Sequence, residues 1–213
     1  MSEAIKKIIA ERKIERLVHF TKLSNLPSIL ANGLVPRIVV NATAPDVEVN
    51  DQLRLDGRKW WNCLSITFPN SRMFFRYQQD DRELEWCILL ISPKVLLEKT
   101  VLFCKHNAAD KRISQAPDHE LGGGHAFSAM FCEIEGVEPR AEQSLKAPDP
   151  TDVQAEVLVR GMIEPEYFDG VVFRTAVALN EHQDQLGDLR AYLSDQRGFF
   201  ADRGFYRKWG KGK

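Results

Sequence analysis

Apolar positions recur along this chain with two periods, and each period predicts an element. Ile5, Ile8 and Ile9 stand at helical spacing among charged residues over 3–13, the pattern of a short amphipathic helix. Residues 17–21 alternate as a short strand, with His19 and Thr21 on one face. A helix then follows: Ser24 is a fitting N-cap, Pro27 is tolerated in the first turn, Leu26, Ile29 and Leu30 make the apolar stripe, and Gly33 is a natural terminator. Residues 63–68 predict a strand, 70–77 a helix with Met73, Phe74 and Tyr77 inward and Arg72 and Arg76 outward, and 84–91 a buried strand. Ser92-Pro93 opens a short helix, 101–104 reads as a further strand, and Gly122-Gly123-Gly124 is a flexible lead-in to the helix at 126–131. Beyond a turn at 163–168 come a strand at 171–173 and a polar segment of modest helical potential to Leu193.

The stretch 151–159 carries the first sign of chemistry. As a strand it places Val153, Ala155, Val157 and Val159 on the core side, and Gln154, Glu156 and Leu158 on the other. A half-buried strand carboxylate needs a hydrogen-bonding partner or a ligand, although a glutamate on the polar face of a strand is commonly just solvated.

Composition narrows the class. With 213 residues, 44% apolar and 28% charged, the chain reads as a single domain over 1–213 with a substantial core. A net charge of −1 means that affinity for a polyanion must come from a local patch. Cys63, Cys87, Cys104 and Cys132 show no metal-ligand spacing and read as buried, reduced thiols. An export signal and a membrane-spanning run are both absent from the sequence, so the expected location is cytoplasmic. No glycine-rich phosphate fingerprint precedes a helix, which disfavours Rossmann and P-loop sites.

The remaining polar segments offer candidates with plain structural alternatives beside them. His106, His119 and His125 are scattered through the polar stretch 105–124 without ligand spacing, so loop is preferred to metal site. Trp60-Trp61 is read as core rather than as a base-stacking platform. Arg54 is the candidate for anionic cofactor oxygens, with Arg58 as the competing choice; the alternative is an exposed turn in which Arg54 pairs with Asp51 or Asp56. From Arg197 to Lys213, the basic residues Arg197, Arg203, Arg207, Lys208, Lys211 and Lys213 interleave with Phe199, Phe200, Phe205, Tyr206 and Trp209. That composition suits single-strand binding through phosphates and stacked bases, and equally suits a segment docked by its aromatics with a solvated basic end.

Several of these segments together resemble a known family. His19-Phe20-Thr21, Asn25-Leu26-Pro27-Ser28-Ile29-Leu30 with Gly33-Leu34, Arg54-Leu55-Asp56-Gly57, Leu64-Ser65-Ile66-Thr67-Phe68-Pro69-Asn70, Ala126-Phe127-Ser128-Ala129-Met130-Phe131 and the stretch 151–159 occur in the order seen in DarT, the DNA ADP-ribosyltransferase toxin of DarT-DarG toxin-antitoxin systems. The resemblance implies an α+β ADP-ribosyltransferase fold: two small, mostly antiparallel sheets splayed around an NAD+ cleft with peripheral helices. It further implies NAD+ as co-substrate without a metal, and a macrodomain antitoxin of the DarG kind as partner. His19, Phe20, Thr21 and Arg54 match cofactor-side positions, Glu156 and Arg54 catalytic ones, and Gln154 an acceptor-steering one. The loop at 134–150 should meet the acceptor, with Arg140 and Lys146 as candidate phosphate contacts. Arg54–Gly57 with Ser65–Asn70 is closer to the guanine-modifying branch than to the thymine-modifying one.

The resulting expectation is transfer of ADP-ribose from NAD+ to a base of single-stranded DNA, guanine favoured, with Arg203, Arg207 and Lys208 holding the strand. Two other readings remain: the same fold acting on protein or RNA, and a non-catalytic nucleic-acid-binding module.

Overall fold

The computed structural model describes residues 2–36, 38–39, 57–194 and 198–209. Seven strands, β1 (Leu17–Lys22), β2 (Trp61–Ile66), β3 (Trp86–Ile91), β4 (Val101–Cys104), β5 (Glu156–Arg160), β6 (Phe168–Phe173) and β7 (Arg190–Leu193), lie in the order β4-β5-β2-β1-β3-β6-β7. All neighbours are antiparallel except β6 and β7, which are parallel. Among the described residues, helices of seven residues or more are α1 (Ser2–Arg12), α2 (Leu26–Asn32), α3 (Ser71–Asp80), α4 (Gly123–Ala129), α5 (Ala176–His182) and α6 (Arg203–Trp209).

The strands form one sheet with a weak join, where two separate sheets were expected. β1 pairs with β3 over all six of its residues, but with β2 only through Leu17–Ile66 and Val18–Ser65. Beyond Val18 the two halves part, so the splayed arrangement survives as a seam. The main core lies on one face, where Leu17, Leu64, Leu89, Val157, Val171 and Phe173 meet α1 and α4 through Ile5, Ile8 and Phe127. The opposite face is divided: Val18, Phe74, Trp86, Ile88 and Phe200 cover one half, and Trp61, Leu102, Ile113, Leu121 and Leu158 the other. Every residue of β3 is buried, as its unbroken apolar run requires.

Several local expectations shift for identifiable reasons. Ser24 lies in a 3-10 turn, and α2 begins one residue later at Leu26, preceded by Asn25, whose side chain donates to Thr21 Oγ1 instead of capping. Gly33 does end α2, with φ +81, and a Cβ there would sit 2.6 Å from the Ile163 carbonyl oxygen. The segment before Leu193 holds α5 and then β7, an exposed edge strand whose polar sequence hides it. Trp61 is core while Trp60 is exposed. Of the cysteines, Cys87 and Cys104 are buried, Cys63 is half-buried and Cys132 is exposed, which corrects the reading of all four as buried.

Candidate active site

Glu156 begins β5, and what precedes it is a turn. Asp152 Oδ1 accepts the Gln154 backbone N–H at 2.9 Å, a local bond that competes with strand pairing, so the ladder starts at Glu156 and not at Thr151. Gln154 therefore stands in the turn and not beside Glu156 on a strand face, a correction to the expected Gln-x-Glu pair. Glu156 is 5% exposed and pairs across β4 with Cys104. Its Oε2 accepts the backbone N–H of Ala108 at 2.7 Å, from the loop that leaves β4. A fixed N–H donor satisfies one carboxylate oxygen and limits the side chain's rotation.

The register places the backbones of His19 and Glu156 on the two sides of β2. Val18 pairs with Ser65, and Leu64 pairs with Val157. His19, beside Leu64, and Glu156, beside Ser65, thus stand on opposite flanks of β2, each one residue past the last pair of its ladder. There the His19 ring takes over from the backbone: Nδ1 is 2.9 Å from the Cys63 carbonyl oxygen. A carbonyl only accepts, so Nδ1 carries a proton. Burial lowers the His19 pKa from its ordinary value, with the Cys63 bond opposing in part. The ring is accordingly neutral at pH 7, and Nε2 is a hydrogen-bond acceptor.

The corner after β2 adds two unsatisfied groups. Thr67 Oγ1 and Asn70 Nδ2 are buried without a hydrogen-bond partner among the described residues, although Asn70 Oδ1 caps α3 by accepting from Met73 N at 3.1 Å. Thr67, a β-branched residue, also adopts φ +64. Strain and orphaned polar atoms together mark a place where a polar ligand would find partners.

Other expected site residues have structural work. Phe20 stacks on Phe74 at 4.5 Å and meets Trp86 edge-on at 6.0 Å, and Thr21 is buried and accepts from Asn25. Arg54 lies outside the described residues. Arg58, its competitor, donates to Asp118 Oδ1 at 3.1 Å and to the Ala116 carbonyl at 2.9 Å. His119 and His125 are exposed, whereas His106 is 3% exposed with Nδ1 2.8 Å from Asp152 Oδ2. Among the described residues no three His, Cys, Asp or Glu side chains gather as a metal site would need. A concavity of about 600 Å³ lies beside this pair, lined by Lys105, His106, Arg112, Cys132, Glu133 and Glu135.

The C-terminal arginines correct the DNA-contact expectation most sharply. Arg203 is 4% exposed and donates to the carbonyls of Pro150 at 2.8 Å and Thr151 at 3.2 Å, and to Gln143 Oε1. Burial lowers its pKa to about 10, which leaves it charged at neutral pH. Arg207 grips Asp149 bidentately, Nε to Oδ2 at 2.8 Å and Nη2 to Oδ1 at 2.6 Å. Arg140 likewise turns inward, to the Asp149 carbonyl and Thr151 Oγ1. Lys208 alone of the three expected strand contacts is solvent-exposed, 3.6 Å from Glu138. The aromatic residues follow the same division: Phe199 and Tyr206 stack on Phe68 and Phe200 meets Phe74, while Phe205 and Trp209 face solvent.

Comparison with known proteins agrees with this architecture. A family model described as ssDNA thymidine ADP-ribosyltransferase, DarT, matches residues 18–197. Thermosipho africanus DarTG in complex with ADP-ribose superposes with a TM-score of 0.60 at 14% identity, over 87% of this chain and 51% of that one. Thermus sp. 2.9 DarT in complex with ADP-ribosylated ssDNA gives 0.57 at 12% identity, over 89% and 97%; the same protein in complex with NAD+ gives 0.56 at 12%, over 86% and 97%. The chain thus spans about half the length of the Thermosipho protein and nearly all of the Thermus one. No curated protein sequence matches.

Proposed function

This chain belongs to the DarT family of single-stranded-DNA thymidine ADP-ribosyltransferases, and from that membership we propose that it cleaves NAD+ and transfers ADP-ribose to a base of single-stranded DNA. The observation that carries the reading is the placement of His19 and Glu156 on the two flanks of Leu64–Ser65, with Glu156 Oε2 anchored by the Ala108 N–H. In support, the similar Thermus sp. 2.9 DarT has been solved both with NAD+ and with ADP-ribosylated ssDNA.

The chemistry asks for these groups. As the bond from ribose C1′ to the nicotinamide nitrogen breaks, nicotinamide leaves with the electron pair and positive charge grows on the sugar. The Glu156 carboxylate stabilises that charge, accepts a hydrogen bond from the ribose 2′-hydroxyl and takes the proton released when a base nitrogen attacks C1′. Neutral His19 accepts a second ribose hydroxyl through Nε2. Asn70 Nδ2 and Thr67 Oγ1 are suited to the dinucleotide's polar atoms, with Arg54 kept for the pyrophosphate. Phe20, packed on the other face, and Thr21, bonded to Asn25, serve by fixing β1, and Gln154, on the turn before Glu156, meets the acceptor.

For the base, the family description favours thymine over the guanine expected from Arg54–Gly57 and Ser65–Asn70. The toxin role and a macrodomain antitoxin partner belong to the same proposal, supported by the name of the Thermosipho DarTG protein. So does a cytoplasmic location: among the described residues no helix is long and apolar enough to cross a membrane.

The test is intact-mass spectrometry of short single-stranded oligonucleotides of differing base content after incubation with the protein and NAD+. ADP-ribose added to thymine-containing strands supports the proposal in full. Addition only to guanine-containing strands keeps the reaction and restores the guanine assignment. No addition to any strand, with NAD+ consumed in the presence of protein or RNA, moves the acceptor away from DNA.

A further inference from the structure

Four consecutive residues just before Glu156 are gripped by four nitrogen-bearing side chains from three parts of the chain. Asp149 is held by Arg207, the carbonyls of Pro150 and Thr151 by Arg203, Thr151 Oγ1 by Arg140, and Asp152 by His106. Asp149 and Thr151 have no exposed surface at all, which is unusual for polar loop residues and shows how completely the grip replaces water. Two of the four come from α6. That helix is itself docked on the corner after β2: Asp202 caps it through the Phe205 N–H at 3.1 Å and accepts from the Ser71 hydroxyl at 3.2 Å, and Ser71 Oγ in turn accepts the Arg203 N–H. Phe68, at the same corner, stacks with Phe199 and Tyr206. One short helix therefore ties the β2–α3 corner, where Thr67 and Asn70 stand, to the loop that delivers Glu156.

We propose that α6 is a clasp for the acceptor loop, in which Arg203 and Arg207 are positioning residues that hold Asp149–Thr151 and so set the turn leading into Glu156. Neither arginine touches DNA. The clasp rests on the reading of Glu156 as catalytic. It assigns the C-terminal basic residues to turnover, where a strand-binding tail would assign them to DNA affinity.

The geometry that matters is small. The turn at Asp152–Gln154 is anchored on one side by His106 and on the other by the residues that Arg203 and Arg207 hold, so loosening either arginine lets the carboxylate drift from the Ala108 N–H that fixes it. A displacement of about 1 Å at a reacting group lowers turnover by roughly a hundredfold.

The experiment uses the full chain and three variants, Arg207→Gln, Arg207→Lys and Asp149→Asn, with hydrogen exchange read beside kinetics. In each folded variant, kcat for transfer to single-stranded DNA should fall at least about tenfold, while the KM for DNA, the salt dependence of DNA binding and the affinity for carba-NAD+ stay within about twofold. Arg207→Lys, which keeps the charge but not the bidentate fork, should recover part of the loss. Exchange should rise across 140–155 and remain low in β1 and β3. Unchanged kcat overturns the clasp, as does a rise in the KM for DNA with a shallower salt slope and kcat intact, the mark of a phosphate contact. Exchange rising through the whole sheet overturns it too, because the arginines would then hold the fold and not the loop. A wild-type protein inactive on every DNA would overturn the catalytic reading, and the exchange pattern would still report on the grip itself.

Discussion

Nδ1 of His106 lies 2.8 Å from Oδ2 of Asp152, and both side chains are almost wholly buried. The pair joins the loop after β4, which supplies the Ala108 N–H to Glu156, to the turn from which β5 starts. His106→Ala should leave the Asp152 carboxylate buried without that partner and lower stability by about 2 kcal/mol, read as a shifted urea midpoint. An unshifted midpoint would mean that water replaces the imidazole at no cost.

Glu156→Gln separates chemistry from folding. The amide oxygen still accepts from Ala108 N–H, so stability should change by less than about 1 kcal/mol. The negative charge facing the developing positive ribose is gone, and turnover should fall by about a hundredfold or more. Urea titration and single-turnover transfer measure the two effects; a variant retaining wild-type rate would remove Glu156 from the mechanism.

The half-buried His19 ring gives a pH dependence of definite sign. Its pKa is lowered in the folded protein, while in the unfolded chain it takes up a proton near pH 6.5. Below that pH the unfolded state binds more protons, so the contribution of His19 to stability is full above about pH 6.5 and is lost as pH falls through the window beneath it. The drop in urea midpoint between pH 7.5 and 5 should be smaller in His19→Gln than in the parent. Parallel curves for the two proteins would contradict the assignment.

At the end of α2, Gly33→Ala should cost more than about 1 kcal/mol, since a side chain is strained at φ +81 and would press on the Ile163 carbonyl. The Leu34–Ile163 bridge would have to open to accept it. Thermal unfolding checks this directly, and an equal or higher midpoint would show that the corner yields freely.

Periodicity located most of the scaffold because burial acts on local pattern. The apolar run at 84–91 could only be a covered strand, and β3 is buried throughout. Ile5 and Ile8 pack inward from α1 as their spacing demands. Where a short-range hydrogen bond competes with the pattern, the pattern misleads: the Asp152–Gln154 turn removed the first part of the expected strand at 151–159. The polar edge strand β7 left no apolar signature to read.

By itself the sequence determined which residue types are present for the chemistry and roughly where the strands run. Glu156 and His19 stand out in the sequence as candidates because a carboxylate and an imidazole on half-buried strands demand partners, and because they lie in segments that resemble a family. Tertiary structure alone decided what the charges do. Arg203, Arg207 and Arg140 have the composition of a polyanion-binding surface, yet each finds carbonyls or a carboxylate far away in sequence or folded back upon it, at positions no local pattern encodes. A buried guanidinium must be satisfied within the fold, and once it is, it is no longer offered to solvent.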